Sequence, residues 1–283
     1  MKNQSPLQDQ LISIYSRNRE DSHATQRKRA WCLGAAARAL TEKFGLQKLE
    51  NLKQKHVAFL VEKWKETDTG RRSIEEKLTY LRWMLQKIGK QNLLPKTNRE
   101  VGIEPGPRHI RAGKVVTDER LAKILAAIPD SRIQAAVLLA RHLGLRFKEA
   151  MLFRPSRDFD GERVWIKRGS KGGRPRYLFV HNEVQKEVLE AARKLSSKEG
   201  ALIPPECPTY ESWRQHVYSI LREAGVGRET DTTFHDLRRT YVVERMDELI
   251  NDRGLDPERA AALVAREVGH SRTEVLEWYL LRG

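Results

Sequence analysis

Cysteine is nearly absent from this chain. Its 283 residues include only Cys32 and Cys207, with no Cys-x-x-Cys pair and no Cys/His spacing that could hold a metal. A disulfide framework and a structural zinc site are thereby excluded as organising devices, and a reducing cytoplasm is the natural setting. Long apolar runs are missing too, since none approaches the roughly 20 residues that cross a bilayer. The opening Met1-Lys2-Asn3-Gln4-Ser5 carries no apolar signal region. No membrane role is expected. There are no internal repeats or low-complexity tracts, and periodic apolar positions run through most of the length, which sets disorder aside. No cluster of carboxylates lies near the basic motifs described below, so chemistry built on carboxylate-held metal ions is not expected.

What the chain has in excess is positive charge. Lys and Arg number 53 against 38 Asp and Glu, a net charge of +15, with an isoelectric point near 9.9. That balance favours a polyanionic partner, nucleic acid first, over a merely solvated basic surface. The excess is uneven. Residues 1–110 hold 22 of the 53 cations and 12 of the 38 anions, which leaves 31 against 26 in the rest. A front region that grips DNA and a more balanced catalytic region would produce this asymmetry.

The length suits two modest domains. Residues 24–44 read as a helix stopped near Gly45. Val57, Leu60, Val61 and Trp64 share one face of a second helix, and Ile74, Leu78, Leu81, Leu85 and Ile88 share one face of a third over 72–88. The expectation for 1–105 is a small helical bundle with basic faces. Residues 96–115 lose periodicity and gather Gly102, Pro105, Gly106, Pro107 and Gly113, together with Arg108, Arg111 and Lys114. This marks a basic linker, placed at 106–116, that can lie along a DNA backbone while two domains close around the duplex.

The second domain, 117–283, opens at the cap Thr117-Asp118-Glu119. A helix over 131–143 stops at Gly144, and another follows directly. Arg163–Lys167 and Arg176–Val180 are β-type runs joined by a glycine-rich turn. Helices are expected at about 182–195, 209–224, 233–251 and 257–268. The fold class is therefore mainly α with one small antiparallel hairpin.

Five short motifs in this second domain carry chemistry: Gly-Leu-Arg-x-x-Glu at 144–149, Ser-Lys-Gly-Gly at 170–173, His-Asp-Leu-Arg at 235–238, Gly-His at 269–270, and Tyr279. A phosphodiester repels nucleophiles through its own charge. Catalysis without metal needs fixed cations around the developing phosphorane and proton handling at both apical oxygens. Arg146 projects from a helix-to-helix corner and can bind two phosphate oxygens in a fork, with Glu149 one turn on to orient it. His235 and Arg238, three apart with Thr232 or Thr233 as cap, fall on one helix face. The histidine can exchange a proton; the arginine supplies charge alone. Arg239 points about a third of a turn away and is the lesser partner. Lys171, in the hairpin turn, can protonate a leaving oxygen, with Lys167 on the strand as its rival. His270 sits in a tight corner before a capping-box pattern at 271–274, and Tyr279 falls on the helix that follows. Each motif alone has an ordinary reading: a surface ion pair, a phosphate-binding lysine, or a packing aromatic beside Leu276 and Leu280.

Their order does not. Taken together they resemble the catalytic set of the tyrosine recombinases, the phage-integrase family. The resemblance spans about 117–283, and the front region is similar, less specifically, to that family's core-binding domain. It implies a helical core-binding domain joined to a mixed α+β catalytic domain, and a site-specific recombinase or integrase of a prophage or integrative mobile element. Tyr279 would attack the scissile phosphate and leave a 3′-phosphotyrosyl bond with a free 5′-hydroxyl, using no metal, ATP or other cofactor. Arg146 and Arg238 would clamp the non-bridging oxygens, and His270 would hydrogen-bond the phosphate. Lys171 would act as general acid and His235 would assist at the tyrosine, with Glu149 in support. The partners implied are double-stranded attachment sites, a homotetramer on DNA and an accessory directionality factor. DNA contacts are expected at Arg108, Arg111, Lys114, Lys167 and Arg174, and the place of action is cytoplasmic, at the nucleoid.

Two departures accompany the resemblance. The 35 residues from His235 to His270 are more than the family pattern leads one to expect, with Ile250 to Pro257 as an inserted turn. Only four residues follow Tyr279, where many relatives carry a further helix that docks on a neighbouring protomer; either protomers couple differently or the chain is shortened. Two other functions are compatible with the same residues: a topoisomerase-like nicking-closing enzyme, and a recombinase-derived DNA-binding protein that does not cut.

Overall fold

A computed structural model of the chain describes residues 5–67, 70–104, 114–170, 173–197, 201–207 and 209–270. Two compact units emerge, Met1–Arg108 and His109–Gly283.

Among the described residues the α-helices of the first unit are α1 (Pro6–Arg17), α2 (His23–Phe44), α3 (Gln54–Glu66) and α4 (Arg71–Lys87). Sequence periodicity anticipates α2, α3 and α4 to within a residue or a few. It overlooks α1, whose signal is nonetheless local. The Gln8 side chain accepts from the Ser5 N–H at 3.0 Å while the Ser5 hydroxyl accepts from the Gln8 N–H. Pro6 occupies the first helical position, where its missing N–H costs nothing. Leu7 and Leu11 then join Leu33, Leu60, Leu78, Leu81 and Leu85 in an apolar core whose members are almost wholly buried. Each such side chain contributes about 1.5–3 kcal/mol of hydrophobic stabilisation. Val101 and Ile103, beyond the last long helix, pack against the same core.

The second unit centres on α6 (Ser131–Leu143), which is covered by α9 (Glu183–Leu195) and α11 (Phe234–Asp247). Ala136, Val137, Leu139, Ala140 and Leu143 of α6 are fully buried. Thr117 caps α5 (Asp118–Ala127) and Thr233 caps α11 through their side-chain oxygens. Short helices α7 (Phe147–Leu152) and α8 (Pro155–Asp158) lead into the hairpin of β1 (Arg163–Ile166) and β2 (Arg176–Phe179). The strands are antiparallel, with Trp165 opposite Tyr177 and Arg163 opposite Phe179. Val164, Ile166 and Leu178 face the core, while Trp165, Tyr177 and Phe179 face outward. Helix α10 (Tyr210–Glu223) precedes α11.

The helix expected over 233–251 is α-helical only to Asp247, after which Glu248–Asp252 forms a π turn. The Arg245 guanidinium bonds the Glu248 carboxylate at 2.6 Å at that junction. α12 (Pro257–Glu267) then packs back on α11 around Tyr241, Met246, Leu249 and Val264. Among the described residues no helix is long and apolar enough to cross a membrane.

Candidate active site

Two glycines set the backbone on which the site is built. α6 stops at Gly144 with φ +64°, and a Cβ there would lie 2.5 Å from the Tyr241 ring. Only glycine satisfies both conditions. The chain therefore turns sharply, and Arg146 becomes the N-cap of α7. After α12 the chain turns again at Gly269, φ +66°, and brings His270 back against the body of the unit.

Between these corners lies Glu149, fully buried. Its two oxygens accept four hydrogen bonds: from Arg146 N–H at 2.7 Å and Nη1 at 2.8 Å, and from Arg176 Nη1 at 2.7 Å and Nη2 at 2.8 Å. Those bonds fill the acceptor sites of a carboxylate. Arg238 Nη1 stands 3.7 Å away. Burial alone would raise this carboxyl; the Arg176 and Arg146 hydrogen bonds and charges overcome it and hold the group at about 2. The carboxylate is thus ionised at neutral pH, and with three guanidinium groups around it the cluster keeps a positive excess.

Arg238 is almost completely buried. Its Nη1 donates to the Gly144 carbonyl at 2.5 Å, its Nη2 donates to the Val268 carbonyl, and the same Nη2 lies 3.4 Å from His270 Nε2. A guanidinium only donates, so Nε2 is the accepting nitrogen of that pair and the imidazole proton sits on Nδ1. Burial, then the Arg238 and Arg146 charges, push the His270 imidazole down to about 4. His235 is lowered in the same direction, first by burial and then by Arg238. Both histidines are therefore neutral near pH 7.

Arg146, His235 and Arg238 open onto a cleft of about 690 Å³. Its other lining includes Phe147, Tyr218, Arg214, Arg222 and Arg228. Phe147 stacks on Tyr218 at 4.6 Å and meets Phe234 edge-on at 5.1 Å, so three aromatic rings of the lining pack on one another. A lining that combines several arginines with aromatic rings suits an anion with an apolar body. Among the described residues no group of three or more His, Cys, Asp or Glu side chains is placed to hold a metal ion.

Arg146, Glu149, His235, Arg238 and His270, singled out in the sequence, thus come together. Lys171 and Tyr279 lie outside the described residues, as do Arg108 and Arg111. Lys114 pairs with Asp231 at 3.0 Å, and its backbone N–H bonds Asp236. Lys167 sits over the Trp165 ring at 5.3 Å and 3.8 Å from Asp158, and Arg174 is exposed. The sequence reading missed Arg176. It lies in a run of aromatic strand residues, and no spacing rule links positions 149, 176 and 267.

Two family models match the chain: one described as integrase, over residues 108–244, and one described as phage integrase, N-terminal, over residues 5–94. No curated protein sequence matches it. Among solved structures, a XerH site-specific recombinase in a post-cleavage complex with palindromic difH substrate is similar at 18% identity and TM-score 0.62, over 96% of this chain and 80% of that one. A lambda integrase dimer bound to a COC′ core site is similar at 16% identity and TM-score 0.63, over 95% and 76%. The Tn1549 transposon integrase with circular intermediate DNA follows at 16% identity and TM-score 0.56, over 98% and 95%. At such identities the likeness is one of fold: a helical N-terminal domain beside a mainly helical catalytic domain with a small antiparallel sheet.

Proposed function

The chain belongs to the tyrosine recombinases, the phage-integrase family, and from that premise we propose that it cleaves and rejoins duplex DNA at specific sites through a 3′-phosphotyrosyl intermediate. The observation that carries this reading is that Arg146, His235 and Arg238 line one basic cleft, with Arg146 and Arg238 flanking the buried Glu149 carboxylate and His270 against Arg238. In-line attack on a phosphodiester develops a dianionic phosphorane, and a preorganised positive excess meets that charge without reorganisation during the step.

In this reading Arg146 and Arg238 hold the non-bridging oxygens. His270 hydrogen-bonds one of them through its single imidazole proton. The Tyr279 hydroxyl oxygen forms the new bond to phosphorus as the bond to the 5′-oxygen breaks. His235, neutral, takes the phenolic proton, and Lys171 supplies a proton to the departing 5′-oxygen. The reverse attack by the 5′-hydroxyl of a partner strand restores the phosphodiester. One bond is exchanged for one bond, so no ATP is consumed.

The front unit acts as the core-binding domain, and residues 106–116, with Arg108, Arg111 and Lys114, line the DNA backbone between it and the catalytic domain. Lys167 and Arg174 add backbone contacts from the hairpin. The substrates are attachment sites of a prophage or integrative element, synapsed by a homotetramer with a directionality factor, in the cytoplasm at the nucleoid.

The test uses duplex DNA from the junctions flanking the gene, nicked near the crossover so that the 5′-hydroxyl is lost after cleavage. Wild type should give an SDS-resistant protein–DNA adduct, and Tyr279→Phe should bind the same DNA in a gel shift without forming it. Binding by both with no adduct from either would favour a relative that does not cut. An adduct from Tyr279→Phe would remove this tyrosine from the reaction. Relaxation of supercoiled plasmid at arbitrary sequence would favour a nicking-closing enzyme.

A further inference from the structure

Three successive backbone carbonyls at the end of α12 each accept a hydrogen bond from a different arginine. Arg176 Nε bonds Glu267 O at 2.7 Å, Arg238 Nη2 bonds Val268 O, and Arg146 Nη2 bonds Gly269 O at 3.2 Å. Two of these arginines are the proposed phosphate clamp. The third is not. Arg176 has both terminal nitrogens on Glu149 and its Nε on Glu267, and its side chain is 8% exposed, so it has no free edge to offer a substrate.

We infer that Arg176 is a positioning residue for strand cleavage: one guanidinium locks the buried Glu149 on one side and the turn that carries His270 on the other, and thereby fixes Arg146 and His270 relative to each other. This rests on the reading of the cleft as a phosphodiester site. The geometry leaves the turn little latitude. A Cβ on Gly269 would meet Arg176 Cδ at 2.9 Å, so the turn backbone is packed directly on the arginine stem. The Glu267 side chain is anchored separately, by Tyr241 OH at 2.7 Å, by His181 Nε2 at 3.2 Å and by Arg245, which holds the end of α12 while Arg176 sets the turn beyond it. Arg176 also leaves from β2, so the same side chain ties the hairpin to that turn. Lysine could keep the charge but cannot span a carboxylate fork and a carbonyl at once.

The experiment compares wild type with Arg176→Lys for duplex affinity, single-turnover adduct formation on the nicked junction DNA, and amide hydrogen exchange. The expected result is affinity within about twofold, because the phosphate-contacting surface is intact, and cleavage slower by about tenfold or more, because a small misplacement of reacting groups is costly. Exchange should rise at residues 268–270 and stay unchanged in α6. Arg176→Ala should be slow as well and should regain cleavage when ethylguanidinium is added, without a change in affinity; it carries the test if the lysine variant shows no cooperative melting transition. Cleavage by Arg176→Lys at the wild-type rate, affinity and rate falling in equal proportion, or an exchange increase spread through α6 would each overturn the assignment. A wild type that forms no adduct would refute the proposed function instead, and the exchange comparison would still decide whether Arg176 braces the turn.

Discussion

Among the described residues the buried polar side chains of the first unit are Arg29 and His56; in the second they include Arg141, Glu149, Asp158, Asp236, Arg238, Arg239 and Arg245. Arg29 lies over the Trp83 ring at 4.0 Å and pairs with Asp21, a local arrangement against an otherwise largely apolar core. The second unit takes charge into its interior and arranges it in networks, above all the three arginines around Glu149. Removing charges from water is costly and often stabilises less than an apolar core of equal volume. A fold that does this beside a cleft has a use for the field it creates, whereas the first unit, Arg29 apart, keeps its described cations outside its core, where they are available to a polyanion.

The contrast can be broken most forcefully at Glu149. Glu149→Gln leaves three guanidinium groups without their shared anion and should destabilise the second unit by about 3–5 kcal/mol in chemical denaturation. A loss below about 1 kcal/mol would mean that backbone carbonyls alone hold the arginines. The effect should depend on pH in a defined sense. The folded-state carboxyl is depressed from 4.5 to about 2, so its contribution is complete above pH 4.5 and disappears as pH falls towards 2. The penalty of Glu149→Gln should shrink over that window.

A comparable loss in the first unit should lack this signature. Leu81→Ala, at a fully buried position, should cost about 3 kcal/mol through lost burial and the cavity left behind. The same penalty is expected at neutral pH and at about pH 3, because no titrating group is involved. A Leu81→Ala penalty that varied with pH would blur the distinction between the units.

The smallest effect is expected at the surface of the first unit. Arg27 is exposed on α2, and Arg27→Ala should change stability by less than about 0.5 kcal/mol. If the front unit grips the DNA backbone there, the salt dependence of binding should lose about one unit of slope. An unchanged slope would remove that face from the contact.

The sequence was most informative where a rule is local. Gly144 and the pair Thr232/Thr233, of which Thr233 is the cap, marked the ends that aim Arg146 and His235, and the i, i+3 spacing put His235 and Arg238 on one face of α11. The hairpin could be read because two runs rich in branched and aromatic residues flank a glycine-rich turn. α1 went unread although its capping box was present, because its apolar stripe is thin among Gln, Asp and Ser. Arg176 was out of reach for a different reason. Its partners, Glu149 and Glu267, lie 27 and 91 positions away, and only tertiary packing brings them together. The burial of Arg238 was likewise invisible, since periodicity names a face and not what covers it. The π turn after α11 sits where α12 packs back and where Arg245 reaches Glu267, 22 positions on, a contact that no short window of sequence contains.

If the arginines around Glu149 neutralise the scissile phosphate, the demand for Arg146 should depend on the charge of that phosphate. Arg146→Ala is therefore paired with two nicked junction duplexes, one ordinary and one with an uncharged methylphosphonate at the scissile position. On the ordinary phosphodiester the variant should cleave about a thousandfold more slowly than wild type, the scale for loss of a transition-state charge partner. On the methylphosphonate, where one negative charge is already gone, most of that deficit should vanish. An equal deficit on both duplexes would contradict the account, because Arg146 would then act on something other than the charge of the phosphate.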